Sequence, residues 1–561
     1  MLERLTDLLA IAGLILLALG LGHVTLNLIG LRTLKGGERI VIAIALGLMA
    51  VGLFALGLSE VRLLSPWLLR AACGIAMLIL APSILAMAKQ HLRGWELGRT
   101  LLSECSLVEK ILLVLIAAQV SAILLTALLP PAQPSGIERT GFARTGFELP
   151  GSAVPRTASI SDGSATPHAP FLADVLVMSA ILMKSQTAAQ LLLLVLTIAA
   201  GGATYLLARR FFSRKVAIIA AAAFMLIPQL PASIRLLHPE PATAFFVVLS
   251  FLALAMYKSA KPETRPACVV LISLLCGGAA GMQQLAASHA LFIAPAVLAV
   301  PALIFRERIR AVLGHALLYA AVTIVLGGVW HLHYYAAAGD YRGVGRRVRG
   351  HTLPAPSPRC LAKTTEADSM GKTLALLLAY PWNITVSAQH PGVPAPASPG
   401  LLPLAFIPLL LVLPGPVPRI IKAIILYCVA FAIAVFFAGQ ATRFLVPIFG
   451  LTSIVAAFAF DQTTRLGRVP SRVAITALLV ACVLQLGISA KAAAGDADPL
   501  MSPADQTMSD VSIGEQQIER RCGPVRANRV RAHRVQGTGT HMARSLSCNG
   551  AEYENRFPDR V

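Results

Sequence analysis

About fourteen apolar stretches run along this chain, most of them near the roughly 20 residues that a spanning helix needs. The basic residues between them fall in every second gap. That pattern constrains the fold more than any motif does. A soluble domain of ordinary makeup carries about 25% charged residues; here the figure is 13%, with 56% hydrophobic residues and a mean hydropathy of +0.72. One soluble core does not hide so many apolar side chains, so lipid is the expected solvent. The runs lack the period-two alternation of barrel strands. Backbone groups in hydrocarbon must be bonded within their own segment, so each run reads as a helix. The expected fold is an all-α polytopic transmembrane bundle of about 13–14 spans over residues 1–490, with long external loops that carry short interfacial helices.

The spans are expected near 8–31, 40–58, 67–88, 111–129, 187–208, 216–232, 241–257, 267–282, 287–305, 311–331, 401–413, 420–437, 444–460 and 473–489. The first is too long for a signal-peptide apolar region and shows no clear small-residue cleavage site, so it reads as a retained helix. The tail, 491–561, is polar and rich in Arg, including Arg520, Arg521, Arg526, Arg529, Arg531 and Arg534. It has no apolar periodicity and reads as disordered rather than as a domain.

Charge sets the expected sidedness. One set of gaps holds Arg32, Lys35 and Arg39; Lys89, Arg93 and Arg99; Arg209, Arg210, Arg214 and Lys215; and Lys258, Lys261 and Arg265. It continues through Arg306, Arg308 and Arg310, then Arg419 and Lys422, then Arg465, Arg468 and Arg472. The alternate short gaps hold only Arg62, Arg235 and Arg443. The richer set is expected to face the cytoplasm. The loops at 131–170 and 334–399, the turn at 231–240 and the tail are then external. The expected location is the cell membrane, the inner membrane of a bacterium. Within the second loop, 371–382 reads as an interfacial helix with Tyr380 and Trp382 at headgroup depth.

The formal charge of +21 is accounted for by helix ends and the tail. No zinc knuckle or aromatic-interleaved basic patch accompanies it, so the lipid bilayer and not nucleic acid is the expected partner. The nine cysteines form no CxxC. Most lie in or near spans, where a free Cys behaves as a small hydrophobe. Cys360, Cys522 and Cys548 fall on the expected outer side, where a disulfide is compatible with the compartment.

The chain carries no P-loop, dinucleotide-binding glycine run, HExxH or GxSxG. Candidate chemistry therefore narrows to polar residues at span ends and in outer loops. The first loop opens with Pro130-Pro131 and continues through Glu138, Glu148 and Asp162 to His168. A carboxylate there suits a general base or a divalent-cation ligand; ordinary solvated charges are the alternative. The second place is Arg235-Leu-Leu-His238-Pro239-Glu240-Pro241. Glu240 there is either functional or a helix-dipole partner, and it is placed to pair with Arg235. The third is Gln440-Ala-Thr-Arg443-Phe-Leu-Val-Pro447. An Arg at the hydrocarbon edge either binds an anion such as phosphate through its planar fork or snorkels to headgroups. Trp330-His331-Leu332-His333-Tyr334-Tyr335 ends a span; the His spacing does not suit one helical face, and an aromatic belt is the favoured meaning. Gln283 and Gln284 interrupt the outer end of a helical hairpin, and Asn383-Ile-Thr385 matches a glycosylation sequon that matters only in a eukaryotic secretory pathway.

The order of these features resembles the bacterial members of the GT-C class of polytopic glycosyltransferases, related to protein O-mannosyltransferases and the lipid A aminoarabinose transferase. The likeness runs over residues 1–489. It rests on Leu128-Leu129-Pro130-Pro131, on Tyr205-Leu-Leu-Ala-Arg-Arg-Phe-Phe, on Glu240 and on the glycines Gly277, Gly278 and Gly281. Trp330, Tyr334, Tyr335 and Gly339 follow, then Gln440-Ala-Thr-Arg443-Phe and Pro447. The resemblance implies transfer of a sugar from a polyprenyl-phosphate donor at the external membrane surface. It implies Glu138 and Glu240 as catalytic carboxylates. Arg235, His238, Gln440, Arg443, Trp330 and Tyr334 would be substrate-binding. The class usually follows Pro-Pro with an aromatic–Asp pair that serves as base or metal partner; here the stretch reads Ala132-Gln133-Pro134-Ser135-Gly136-Ile137-Glu138. A basic residue often found in the glycine-rich hairpin is replaced by Gln283 and Gln284, and the folded domain usual after the last span gives way to the tail. A catalytically silent protein of envelope assembly is therefore one alternative. A transporter of lipid-linked substrates is another, although such proteins show broken helices or mid-membrane ionisable groups, of which the sequence offers nearly none.

Overall fold

The computed structural model describes residues 2–128 except 33, 35, 62 and 104; 171–338 except 236, 284, 285 and 305–307; 377, 379, 380 and 382; and 400–494 except 414 and 439–441. Among these residues there are sixteen helices and no strand. The helices are α1 (Leu2–Leu28), α2 (Gly36–Glu60), α3 (Pro66–Ser103), α4 (Leu107–Leu128), α5 (Leu172–Met183) and α6 (Gln186–Phe211). They continue with α7 (Arg214–Met225), α8 (Gln229–Arg235), α9 (Glu240–Lys258), α10 (Arg265–Met282) and α11 (Ala287–Ala299). The last five are α12 (Ile309–Ala338), α13 (Leu401–Phe406), α14 (Arg419–Ala438), α15 (Val446–Arg465) and α16 (Arg468–Ala494). Eleven of them are long and apolar enough to cross a bilayer, or twelve if the bent pair α7–α8 counts as one span. This is the architecture of a multi-pass membrane protein.

Every apolar run read from the sequence is helical, but three do not form a straight span. The run at 216–232 is α7 and α8, which meet at 50°. Pro228 sits in the break, where it supplies no amide N–H and restricts the residue before it. The run at 287–305 is the short α11 followed by a π turn, Val300–Ile304. The run at 401–413 is the short α13 followed by a 3₁₀ turn, Ile407–Leu411. Hydropathy also missed α5, a 12-residue helix next to the first long loop. Its Asp174 carboxylate accepts the Phe171 amide at 2.9 Å, closing the helix start.

The basic gaps converge at one end of the bundle. Arg210 pairs with Glu38 at 2.9 Å and donates to the Ser259 hydroxyl at 2.6 Å, which joins the ends of α2, α6 and α9. Arg214 lies 3.7 Å from Glu109, which brings in the start of α4. Tyr257 meets His315 at 3.0 Å, adding the start of α12. Arg39 is not a solvated end charge. It is 8% exposed and its guanidinium donates to the Arg32 carbonyl, the Leu34 carbonyl and Asn27 Oδ1, tying the α1–α2 turn. At the opposite end Asp7 accepts the Ser185 hydroxyl at 2.6 Å, and Arg70 donates to the Met183 carbonyl at 2.9 Å.

Small residues set the closest crossings. In lipid there is little hydrophobic drive between helices, so close backbone approach supplies the packing. Ala18 and Gly22 of α1 face Ala43 and Gly47 of α2 reciprocally. A Cβ on Gly22 would land on the Ala43 carbonyl, and one on Gly47 on the Ala18 carbonyl. Likewise a Cβ on Gly277 would lie 2.9 Å from Leu326 Cβ, and one on Gly281 2.6 Å from Trp330 Cδ1, so α10 and α12 nest.

Candidate functional site

The helices do not all reach the end opposite the basic one. The Arg210–Ser259 bond puts the C-termini of α6 and α9 level. From there α6 runs 26 residues and α9 only 19. At 1.5 Å per residue the start of α9 therefore stops about 10 Å short of the start of α6. Gly281, one residue from the end of α10, faces Trp330, while α12 continues to Ala338. That again leaves about 12 Å of α12 beyond its neighbour. The α7 helix ends after 12 residues and bends into α8. The ends of α8, α9 and α10 thus form the floor of a step, with α6 and α12 rising beside it.

Glu240 stands on that floor as the first residue of α9, between Pro239 and Pro241, and is 1% exposed. Its place at a helix start fits a carboxylate, because the unsatisfied N–H groups there carry partial positive charge. Arg235, the last residue of α8, is half-buried, and its carbonyl accepts from Gln190 Nε2 at 3.3 Å. His238 is half-buried, and its amide bonds back to the Ser233 carbonyl at 2.8 Å. Leu237 between them has φ +54°, the left-handed region that a bulky side chain rarely adopts. The left-handed Leu237 and the bond from the His238 amide to the Ser233 carbonyl fold the chain back on the end of α8. Gln283 caps α10 in extended conformation; it is 7% exposed and its amide meets no hydrogen-bond partner among the described residues. Leaving a buried polar group unmatched costs about 1–3 kcal/mol.

The other sequence-derived candidates divide. Trp330 is 1% exposed and packs against Gly281, inside the helix contact and not at a lipid-facing belt. Tyr334 and Arg443 have described backbone, in α12 and in the 3₁₀ turn Thr442–Leu445, but their side chains lie outside the description. Glu138 and Gln440 fall outside the described residues, as do the tail beyond Ala494, where α16 ends, and most of both long loops. Of the second loop, Tyr380 is buried edge-on against Phe436 at 5.4 Å, and Trp382 is 57% exposed. Burial pushes the Tyr380 phenol up to about 12. Among the described residues no three His, Cys, Asp or Glu side chains gather in a way that suits a metal.

A polar cluster that sequence reading missed lies deeper. His289 Nδ1 meets the Tyr427 hydroxyl at 2.6 Å, Cys276 Sγ lies 3.8 Å from His289 Nε2, and Tyr319 donates to the Ala290 carbonyl at 2.6 Å. Phe251 packs edge-on to Tyr427 at 4.8 Å. These residues tie α9, α10, α11, α12 and α14 together. The polar members sit within apolar runs, and only pairing between distant segments reveals the set.

Comparison with known proteins returns no match: no protein-family profile fits the chain, and no curated protein or solved structure is similar to it.

Proposed function

We propose that this chain is a GT-C-like membrane glycosyltransferase, moving a sugar from a polyprenyl-phosphate donor at the external face of a bacterial inner membrane. The observation that carries the reading is Glu240. It is a carboxylate 1% exposed, at the start of a shortened helix on the non-basic end of the bundle, and an ionisable group held at such a place marks a functional site. The Arg and Lys clusters at the other end support assigning the Glu240 end to the outside.

In this reading Glu240 or Glu138 takes the proton of the acceptor hydroxyl as its oxygen attacks the anomeric carbon. The bond between that carbon and the phosphate oxygen breaks, and the polyprenyl phosphate leaves with the electron pair. Arg443 and Arg235 neutralise the phosphate charge. Gln440, His238 and Tyr334 orient the sugar, and Trp330 supports the floor through Gly281.

The test is release of the lipid carrier from polyprenyl-phosphate sugars by purified protein. Glu240→Gln is expected to lower turnover by about 10²-fold or more, the usual range for a lost general base; Glu138→Gln and Arg443→Ala complete the set. Turnover indifferent to all three changes sinks the assignment, and no turnover with any donor favours a silent assembly partner. The 50° break at α7–α8 favours a second reading, a transporter of lipid-linked substrates, because transporters build their sites at interrupted helices. Movement of a labelled lipid-linked sugar between leaflets of proteoliposomes, without carrier release, would select it.

A further inference from the structure

Three mutually packed helices, among them α8 from the step, bury neutral polar side chains that meet no hydrogen-bond partner among the described residues. Helix α16 packs against both α4 and α8, and α4 against α8. The buried stripe of α16 reads Ala474, Leu478, Ala481 and Cys482 toward the basic end, then turns polar at Gln485 and Ser489. The buried stripe of α4 carries Gln119 between Leu112 and Ile123. Helix α8 adds Gln229 and Ser233. All five are at least nine-tenths buried: Gln119 1%, Gln229 8%, Ser233 1%, Gln485 0% and Ser489 1% exposed. Both amide atoms of Gln119 and Gln485, the amide oxygen of Gln229 and the hydroxyls of Ser233 and Ser489 meet no hydrogen-bond partner among the described residues. Buried polar groups are retained in helical bundles when something bonds them. A Cβ on Gly400, next to α13, would fall on the Gln485 amide, so the α13 start lies beside it.

The chemistry of the seam selects its ligand. It offers amide N–H donors, amide oxygen acceptors and hydroxyls that do both. A phosphodiester only accepts, and would leave the three amide oxygens unmet. An ammonium only donates. Hydroxyl groups donate and accept, and a molecule that carries several serves amides and hydroxyls on more than one of the three helices. We propose that the α4–α8–α16 seam binds the neutral hydroxyls of a sugar. This rests on the packing of these helices and not on the transferase reading, so binding without turnover upholds the seam and overturns only the enzyme.

The experiment uses full-length protein in nanodiscs of phospholipid alone, the same nanodiscs with a monohexosyl diacylglycerol added, and the phospholipid nanodiscs with free hexose at millimolar concentration. Thermal unfolding and binding of a labelled glycolipid are read in each. The glycolipid, or the free hexose, is expected to raise the unfolding temperature, and which of the two acts separates a headgroup from a soluble sugar. Gln119→Leu and Gln485→Leu are each expected to weaken binding about tenfold, the loss of one or two hydrogen bonds. Both are also expected to unfold at the same or higher temperature than wild type without sugar, since an apolar group of similar shape relieves an unmatched amide. Should either leucine variant fail to fold, Ser489→Ala supplies the milder test with the same expectation. No response of wild type to either sugar, or leucine variants that bind as well as wild type, would overturn the proposal.

Discussion

Replacing Gly47 by Ala tests the packing logic with one methyl group. The added Cβ would fall on the Ala18 carbonyl of α1, a backbone atom that has no rotamer to yield. The helices must then part, and the reciprocal contact of Gly22 with Ala43 opens with them. Overpacking of this kind costs about 1–3 kcal/mol, and a backbone obstacle puts it in the upper half. Against this stands a helix-propensity gain of about 1 kcal/mol for Gly to Ala. The net loss is about 1–2 kcal/mol. Gly57, ten residues on in the same helix, has nothing within 4 Å of its would-be Cβ. Gly57→Ala keeps the gain without the clash, so the two variants should move stability in opposite directions, about 2–3 kcal/mol apart. Equilibrium unfolding in mixed micelles, followed by helical circular dichroism, reads the difference. Gly22→Ala should resemble Gly47→Ala, and the double variant should cost less than the sum, because the crossing is opened only once. A Gly47→Ala protein as stable as Gly57→Ala would refute the close crossing.

Two further outcomes follow from the same structure. Tyr427→Phe removes the hydroxyl that meets His289 Nδ1 and leaves a fully buried imidazole nitrogen unmatched; a loss of about 1–3 kcal/mol in the same assay is expected, and an unchanged midpoint would show the bond to be immaterial. Reporter fusions at Ser152 and Arg308 should report opposite sides of the membrane, and a shared side would discard the assigned orientation.

What could be read in advance depended on how local its cause is. Every apolar run was recoverable, because transfer into lipid sums over contiguous residues and needs no partner. The α7–α8 break was partly legible: Pro228 and Pro231 lie within the apolar run, yet a hydropathy window averages over them. Helix α5 was lost because its 12 residues are too few to span and directly follow a polar loop. Of the candidate residues, Glu240 was legible as an acid between two prolines, but its burial was not. Trp330 read as an interfacial aromatic because it ends an apolar run; its packing on Gly281 depends on a helix some fifty residues earlier in the chain. Gln119, Gln485, Cys276, His289 and Tyr427 formed no motif, lying among apolar residues within their own segments.

The amino-acid order alone determined the solvent, the helices and the two unlike ends of the bundle, since each follows from the water-to-lipid cost of nearby residues. Only the folded arrangement decided where helices stop short, which glycines touch backbone and which amides are buried together. Those depend on contacts between segments far apart in the chain, and no local sum of residue properties contains them.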